Sequence, residues 1–352
     1  MRIEYDNIIY SLQNAGGIST YWSQLCNRLI RDNYSVTFVE RKTQSGVRMA
    51  VDIAPEKIDN DNIFPLIISR FITLKYSRIN EKFIFHSSYN RVTNHPKALQ
   101  IVTIHDFVHE KFYSGIRRFL HKFQKNRAIR SADAIIAVSE NTKRDLLHFH
   151  PYIKPENVHV IYNGVSEDFC FLNPEQYRLI DISDTYFLYI GSREKYKNFD
   201  FTVEAVSLQQ DHYLYIVGSE LTNAEVKILD SKLKGRWRLF KYAENKLLNE
   251  LYNRAFALVY PSSYEGFGIP LLEAMSAGCP FITLNNSSIP EVAGKAGAMM
   301  MTLSLSEFHD AVRKIYTLRG EMINRGFEQV RKFSWEKCYQ ETLQVYKNVY
   351  HL

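Results

Sequence analysis

The sequence predicts an α/β fold made of two doubly wound units. Two observations carry this. Short apolar runs of four or five residues recur along the whole chain and alternate with helical spacing, the pattern of parallel sheets flanked by helices. Several of these runs stop at glycine or at a turn pair, where open α/β sheets place their ligand loops. With 352 residues, 45% of them apolar, the chain can bury two cores of ordinary size.

Arg2 to Tyr5 reads as the first strand, followed by a loop holding Gly16-Gly17 and a helix from Ile18 to Arg31. Val36–Val39, Phe83–Phe85, Ile101–Ile104 and Ala134–Val138 read as further strands, with Ser139 capping a following helix. Val158 to Tyr162 closes this half at the turn pair Asn163-Gly164. After a polar, irregular stretch from Ser166 to Asp184, Phe187–Ile190 is a strand stopped by Gly191 and Tyr213–Val217 one stopped by Gly218. Trp237–Phe240 follows, then a helix from Asn245 to Ala255 and the strand Ala257–Tyr260. Pro270 fits the first position of the next helix and Gly278 its end; Phe281–Leu284 is the following strand. A last helix from Trp335 to Tyr350 carries Tyr339, Leu343, Tyr346 and Tyr350 on one face. The expected units are residues 1–170 and 171–334, with 335–352 as a terminal helix.

No apolar run approaches the ~18 residues of a membrane span, and Met1 to Asp6 has no apolar core of a signal peptide, so a cytoplasmic protein is expected. Cys26, Cys170, Cys279 and Cys338 are widely spaced and read as reduced, buried thiols. The net charge of +6 is unevenly placed: Lys111 to Arg130 holds seven Lys or Arg and no acid, with Ile116, Phe119, Leu120 and Phe123 at helical spacing. Two readings stand. The stretch is a core-packing helix with a solvated basic face, or a surface that meets anionic lipid headgroups. No nucleic-acid-binding signature accompanies it.

The most informative stretch runs from Ser262 to Met275. Glu265 and Glu273 stand eight residues apart across Gly266-Phe267-Gly268, between a strand and a helix. A helix N-terminus favours an anion, and glycines let the backbone approach it. Carboxylates suit hydroxyls rather than phosphate. The unit therefore suggests a pocket for a ligand both phosphorylated and rich in hydroxyls. After the strand ending at Ile190, Arg193 and Lys197 could reach a diphosphate. Gly16 and Gly17 form either a ligand loop or a tight turn. His105, at the end of another strand, could contact a reacting sugar, and Asp106 could be a base or a helix cap. Glu291, after Ser287-Ser288, could bind a donor hydroxyl or cap a helix. Asp59-Asn60-Asp61 mimics a metal-holding Asp-x-Asp but follows a polar stretch and reads as a surface loop; no other metal cluster stands out.

These motifs resemble the family 4 (group 1) retaining glycosyltransferases of the GT-B fold, in which two Rossmann-like domains face across a cleft and a C-terminal helix crosses back to the first. Glu265 and Glu273 match the family's Glu-x7-Glu block, Arg193 and Lys197-Asn198 its basic pair, and Ser288–Val292 the loop after the next strand. Asn163-Gly164-Val165 matches the end of the N-terminal domain, and Ser334-Trp335-Glu336 the start of the final helix. Gly16-Gly17-Ile18 and His105-Asp106 match its glycine loop and catalytic-site histidine. The resemblance spans nearly the whole chain.

It implies that residues 1–170 bind the acceptor and 171–334 the donor. Glu273 holds the nucleotide ribose and Glu265 the sugar hydroxyls. Backbone N–H groups near Phe267 and Gly268 hold donor oxygens, and Arg193 and Lys197 neutralise the leaving diphosphate in place of a metal. No cofactor is implied; the co-substrate is a nucleotide diphosphate sugar, with GDP-mannose the first choice and UDP-sugars open. The acceptor is a glycan or lipid-linked glycan in surface polysaccharide or lipopolysaccharide assembly, met at the inner membrane face. The alternatives are another GT-B activity, such as a sugar-nucleotide 2-epimerase, or an inactive donor-binding scaffold.

Overall fold

The computed structural model describes residues 1–61, 64–76 and 79–351, the side chain of Arg117 excepted. Residues 1–163 and 335–352 form one compact unit, and residues 164–334 another. The sequence reading sets the division at 170. Residues 164–170 belong instead with the second unit: Cys170 N–H donates to Asn249 Oδ1 at 3.1 Å and, beside it, Leu172 N–H to Asn253 Oδ1 at 2.7 Å. Cys170 is exposed, unlike the other three cysteines.

In the first unit the strands are β1 (Arg2–Asp6), β2 (Ser35–Glu40), β3 (Ile58–Asn60), β4 (Thr73–Leu74), β5 (Phe83–Ser87), β6 (Val92–Thr93), β7 (Ala98–Ile104), β8 (Ala134–Ala137) and β9 (Val158–Val160). Seven of them form a parallel sheet in the order β3-β2-β1-β5-β7-β8-β9, and β4 pairs with β6. The helices are α1 (Ile9–Leu12), α2 (Gly17–Arg31), α3 (Gly46–Met49), α4 (Leu66–Ser69), α5 (Val108–Phe112), α6 (Gly115–Ser131) and α7 (Glu140–Phe149). Ser139 caps α7 by accepting the Thr142 N–H. The chain runs outward from β1 to β3 and returns to β5, so the direction of winding reverses between β1 and β5.

The C-terminal helix, Trp335–His351, belongs to this first unit. Its buried face, with Tyr339, Leu343 and Tyr346, closes over the sheet; Tyr350 stays partly exposed. Tyr346 Oη lies 2.7 Å from Tyr5 Oη and 2.5 Å from His86 Nδ1. His86 Nε2 continues to Thr103 Oγ1 at 2.9 Å, and Thr103 to Tyr21 Oη at 3.0 Å. Burial pushes His86 down to about 3, so the seam is neutral. At the rim, Glu336 pairs with Arg28 and Arg31.

Asp59-Asn60-Asp61 is not a surface loop. Ile58 to Asn60 adds an edge strand beside β2, and Asp61 turns inward, 2.5 Å from Arg91 Nη1. Arg91 is fully buried and also binds Asp6, at the end of β1. One guanidinium thus holds two carboxylates.

In the second unit the strands are β10 (Tyr186–Ile190), β11 (Tyr213–Gly218), β12 (Trp237–Lys241), β13 (Ala257–Tyr260), β14 (Phe281–Leu284) and β15 (Ala298–Met300), parallel, in the order β12-β11-β10-β13-β14-β15. Its helices are α8 (Phe199–Ser207), α9 (Asn223–Leu233), α10 (Asn245–Arg254), α11 (Ile269–Ser276), α12 (Ile289–Ala293) and α13 (Leu305–Val330); the C-terminal helix above is α14. The four residues of β13 are all buried, as expected of a central parallel strand covered on both faces. The winding reverses between β10 and β13. The loops after these two strands therefore leave the sheet side by side.

Candidate functional site

In the second unit, the reversal of winding brings the sequence's two strongest motifs together. After β10 the chain passes Gly191, at φ 121°, and makes a short 3₁₀ turn at Lys195–Lys197. Asn198, left-handed at φ 53°, begins α8. Asn198 Nδ2 donates to Pro261 O at 2.7 Å and Ser263 Oγ at 2.8 Å, and Ser263 N–H donates to Tyr196 O at 2.8 Å. These bonds stitch the loop after β10 to the loop after β13. Across the stitch, Lys197 Nζ stands 2.5 Å from Glu265 Oε1, both side chains mostly buried. Tyr260, the last residue of β13, lies over the same ammonium, 5.3 Å from ring centroid to Nζ.

Glu265 to Gly268 is held from the opposite side. Ser288 Oγ bridges Glu265 O at 3.0 Å and Phe267 O at 2.9 Å, and Glu265 N–H donates to Ser287 Oγ at 3.0 Å. Gly266 is buried; the Phe267 ring is buried and packs on Phe333, 5.9 Å between centroids. Only the backbone of Phe267 can therefore serve a ligand. Gly268 is the N-cap of α11 at φ 108°, a conformation strained for any residue with a Cβ. The helix begins at Ile269, so Pro270 takes its second position rather than the first; there too the missing N–H breaks no intrahelical bond.

Glu273 lies in the second turn of α11, where its carboxylate accepts the Tyr252 hydroxyl at 2.8 Å. Desolvation lifts it to about 7, against the lowering effect of that hydrogen bond. Arg193 shares the loop of Lys197, and its mostly buried side chain is held by other partners: Nε binds Glu225 Oε1 at 2.6 Å and Nη2 binds Glu220 O at 2.6 Å. Its Nη1 is buried with no hydrogen-bond partner among the described residues. The Tyr189 hydroxyl feels both Arg193 and Glu265, so the two groups share one electrostatic neighbourhood at the end of β10. Glu291 sits in the first turn of α12, three residues past Ser288, and its carbonyl receives Gln329 Nε2.

In the first unit, Gly16 caps α2, and an added Cβ there would collide with the Gln13 side chain. That side chain accepts the Ser19 N–H at 3.3 Å, while Gly17 remains exposed. His105 follows β7 directly, its ring edge-on to Tyr21 at 5.0 Å. Burial first, and Lys125 next, lower it to about 4 against the opposing pull of Asp106. His105 is therefore a neutral imidazole at physiological pH, suited to hydrogen-bonding hydroxyls. Asp106 accepts the Val108 N–H at 3.0 Å, a local turn leading into α5, whose N-cap is Phe107.

Loops after β5 and β7 enclose a cavity of about 70 Å³ lined by Ile18, Asn90, His105, Asp106, His109 and His121, among others. Lys125, buried with Glu110 at 2.9 Å, also donates to Asp106 O and fixes its floor.

Sequence reasoning missed Tyr252, Tyr260, Ser288 as a bridge, Lys125 and His121. Tyr260 ends a strand and Ser288 follows one, so both were findable by position. Tyr252, Lys125 and His121 sit mid-helix with no local signal. Lys197 and Arg193 each carry a carboxylate partner, Glu265 and Glu225. Among the described residues, no group of three or more His, Cys, Asp or Glu could hold a metal ion.

The basic stretch forms α5 and α6, and the core-packing reading of its apolar residues fails. The buried face of α6 is instead His121, Gln124, Lys125, Ala128 and Ile129, while Ile116, Phe119, Leu120 and Phe123 face solvent. The Arg117 side chain lies outside the described residues. No helix of the described residues is long and apolar enough to cross a membrane.

Known proteins share this architecture. Residues 176–332 match the family model described as glycosyl transferases group 1, and residues 15–169 the model described as glycosyltransferase family 4. The chain is 29% identical over 293 residues to the O-antigen chain mannosyltransferase B of Escherichia coli, covering 75% of this chain and 74% of that protein. It is 25% identical over 248 residues to the O-antigen chain mannosyltransferase RfbU of Salmonella typhimurium, covering 68% and 67%. The crystal structure of Anabaena Alr3699/HepE in complex with UDP-glucose superposes with a TM-score of 0.75 over 99% of this chain and 100% of that one, at 14% identity, a likeness of fold.

Proposed function

Because the chain belongs to the family 4, group 1 glycosyltransferases and has their GT-B architecture, we propose that it is a retaining, metal-independent hexosyltransferase whose donor is a nucleotide diphosphate sugar. The observation that carries this reading is the contact of Lys197 with Glu265 at the point where winding reverses in the donor unit. A carboxylate held by an ammonium is fixed in position to accept sugar hydroxyls. The same ammonium keeps donors for the adjoining diphosphate. Glu273 accepts the ribose hydroxyls one turn further along α11. Arg193 Nη1, with its hydrogen-bonding capacity unspent, meets a phosphate oxygen.

The division of labour follows. As the sugar–phosphate bond breaks, charge grows on the departing diphosphate. Lys197, Arg193 and the N-terminus of α11 stabilise it without a metal ion. The acceptor hydroxyl attacks on the same face, its proton passing to the departing phosphate, which accounts for retention without an enzymic nucleophile. Neutral His105 orients hydroxyls in the acceptor unit. Mannose from GDP-mannose is the first choice of donor, a choice supported by two relatives that are O-antigen mannosyltransferases. Those names also support a role in surface polysaccharide or lipopolysaccharide assembly. The acceptor is then a lipid-linked glycan at the cytoplasmic membrane face, approached through the basic Lys111–Arg130 stretch. Nucleoside diphosphate release from GDP-, UDP- and ADP-sugars tests this: slow release without acceptor supports transfer, sugar inversion at C2 supports an epimerase, and neither supports a scaffold.

A further inference from the structure

Two exposed apolar surfaces stand next to each other in the first unit. On α6, Ile116 is 77% exposed, Phe119 67%, Leu120 42% and Phe123 54%. On α4, Ile67 is 78% exposed and Ile68 52%. The two elements are clamped: Gln124 Nε2 donates to Arg70 O at 2.6 Å and Arg127 Nη1 to Phe71 O at 2.9 Å. Leu120 and Phe123 lie within a turn of Gln124, and Ile67 and Ile68 within a turn of Arg70. The two joined elements thus both present apolar side chains to solvent. Exposed large apolar side chains gathered on two joined elements mark an interaction surface.

Charge chooses the occupant. Arg118 and Lys122 are exposed among these side chains, and residues 111 to 130 contain no acid. A second copy would bring like charge against like charge in a self-complementary contact. An anionic bilayer supplies both opposite charge and an apolar interior.

We propose that α4 and α6 form a two-element wedge that inserts Ile67, Ile68, Ile116 and Phe119 into the interface of an anionic lipid bilayer. The α4 limb has no basic run and makes the contact partly hydrophobic rather than electrostatic alone. The inference deepens, and rests on, the lipid-linked acceptor proposed above. Vesicle sedimentation tests it, using phosphatidylglycerol–phosphatidylcholine and pure phosphatidylcholine vesicles with the full chain. The wild type partitions onto the anionic vesicles. Ile67→Ser/Ile68→Ser lowers that partition about tenfold or more, as losing two buried aliphatic side chains predicts, and leaves donor hydrolysis in solution unchanged. Arg118→Glu/Lys122→Glu abolishes the preference for anionic lipid. Unchanged partition of the α4 variant overturns the wedge. So does a wild type that ignores vesicles but forms a dimer, seen by light scattering, that the same substitutions dissolve. Vesicle binding by a wild type that releases no nucleoside diphosphate keeps the wedge and removes the transferase reading instead.

Discussion

Lys197 Nζ lies 2.5 Å from Glu265 Oε1, joining two loops 68 residues apart in sequence. The contact exists because β10 and β13 are neighbours in the sheet, and it brings a cation and an acid to one place. Removing either leaves the other partly buried and unpaired. Glu265→Gln and Lys197→Ala should each lower sugar transfer about a hundredfold or more, the usual effect of losing one charge-stabilising group. The double variant should lose far less than the product of the two. Acceptor-dependent nucleoside diphosphate release measures this; wild-type rates in either single variant remove that residue from the site.

Glu273 gives a pH signature. Its carboxyl is raised to about 7, and the ionised form is the better acceptor for ribose hydroxyls. Affinity for a nucleoside diphosphate should rise from pH 5 to 7, by up to about tenfold per pH unit, and level off above. The unliganded fold runs the other way. Below 7 the folded state keeps a proton that the unfolded chain has given up, so stability falls as pH rises from about 4.5 to 7. Calorimetric titration across pH checks the first effect, and Glu273→Gln should flatten it.

His105, lowered to about 4, stays neutral from pH 5 to 9. The pH–rate profile should then contain no limb in that range that vanishes in His105→Gln. Such a limb would make His105 a titrating base rather than a hydrogen-bonding group.

Chelators should not slow transfer, because Lys197, Arg193 and a helix N-terminus are proposed to meet the diphosphate. Loss of activity in EDTA that magnesium or manganese restores would overturn the metal-independent mechanism.

Arg91 is a stability prediction. It is fully buried between Asp6 and Asp61. Arg91→Met leaves two buried carboxylates without a counter-charge and should cost about 3–5 kcal/mol, read as a shift in the denaturation midpoint. A change under about 1 kcal/mol would mean that the carboxylates find water or take up protons at little cost.

Much of the fold could be read from the chain because central parallel strands are continuous apolar runs ending in glycine, as at Ile190-Gly191 and Val217-Gly218. The long helix α13 went unassigned: its apolar spacing, regular from Phe308 to Ile315, breaks at a kink at Leu318. The edge strand at Ile58–Asn60 is two-thirds polar and has no strand pattern of its own; pairing with β2 makes it one. Of the site, the loops were legible because glycines and charges cluster after strands. Their partners were not. Tyr252 meets Glu273 from a helix 21 residues away, a contact that packing sets and periodicity does not announce. The exposure of Phe119 and Phe123 was also hidden. Helical spacing shows that side chains share a face, not which way that face looks.

The most direct test is calorimetric titration of the wild type, Lys197→Ala and Glu265→Gln with GDP-mannose and with GDP alone, then with the UDP and ADP counterparts. The account predicts saturable binding of one nucleotide class by the wild type, about tenfold or greater loss of both ligands in Lys197→Ala, and loss confined to the sugar-bearing ligand in Glu265→Gln. Equal affinities for all three proteins would contradict it.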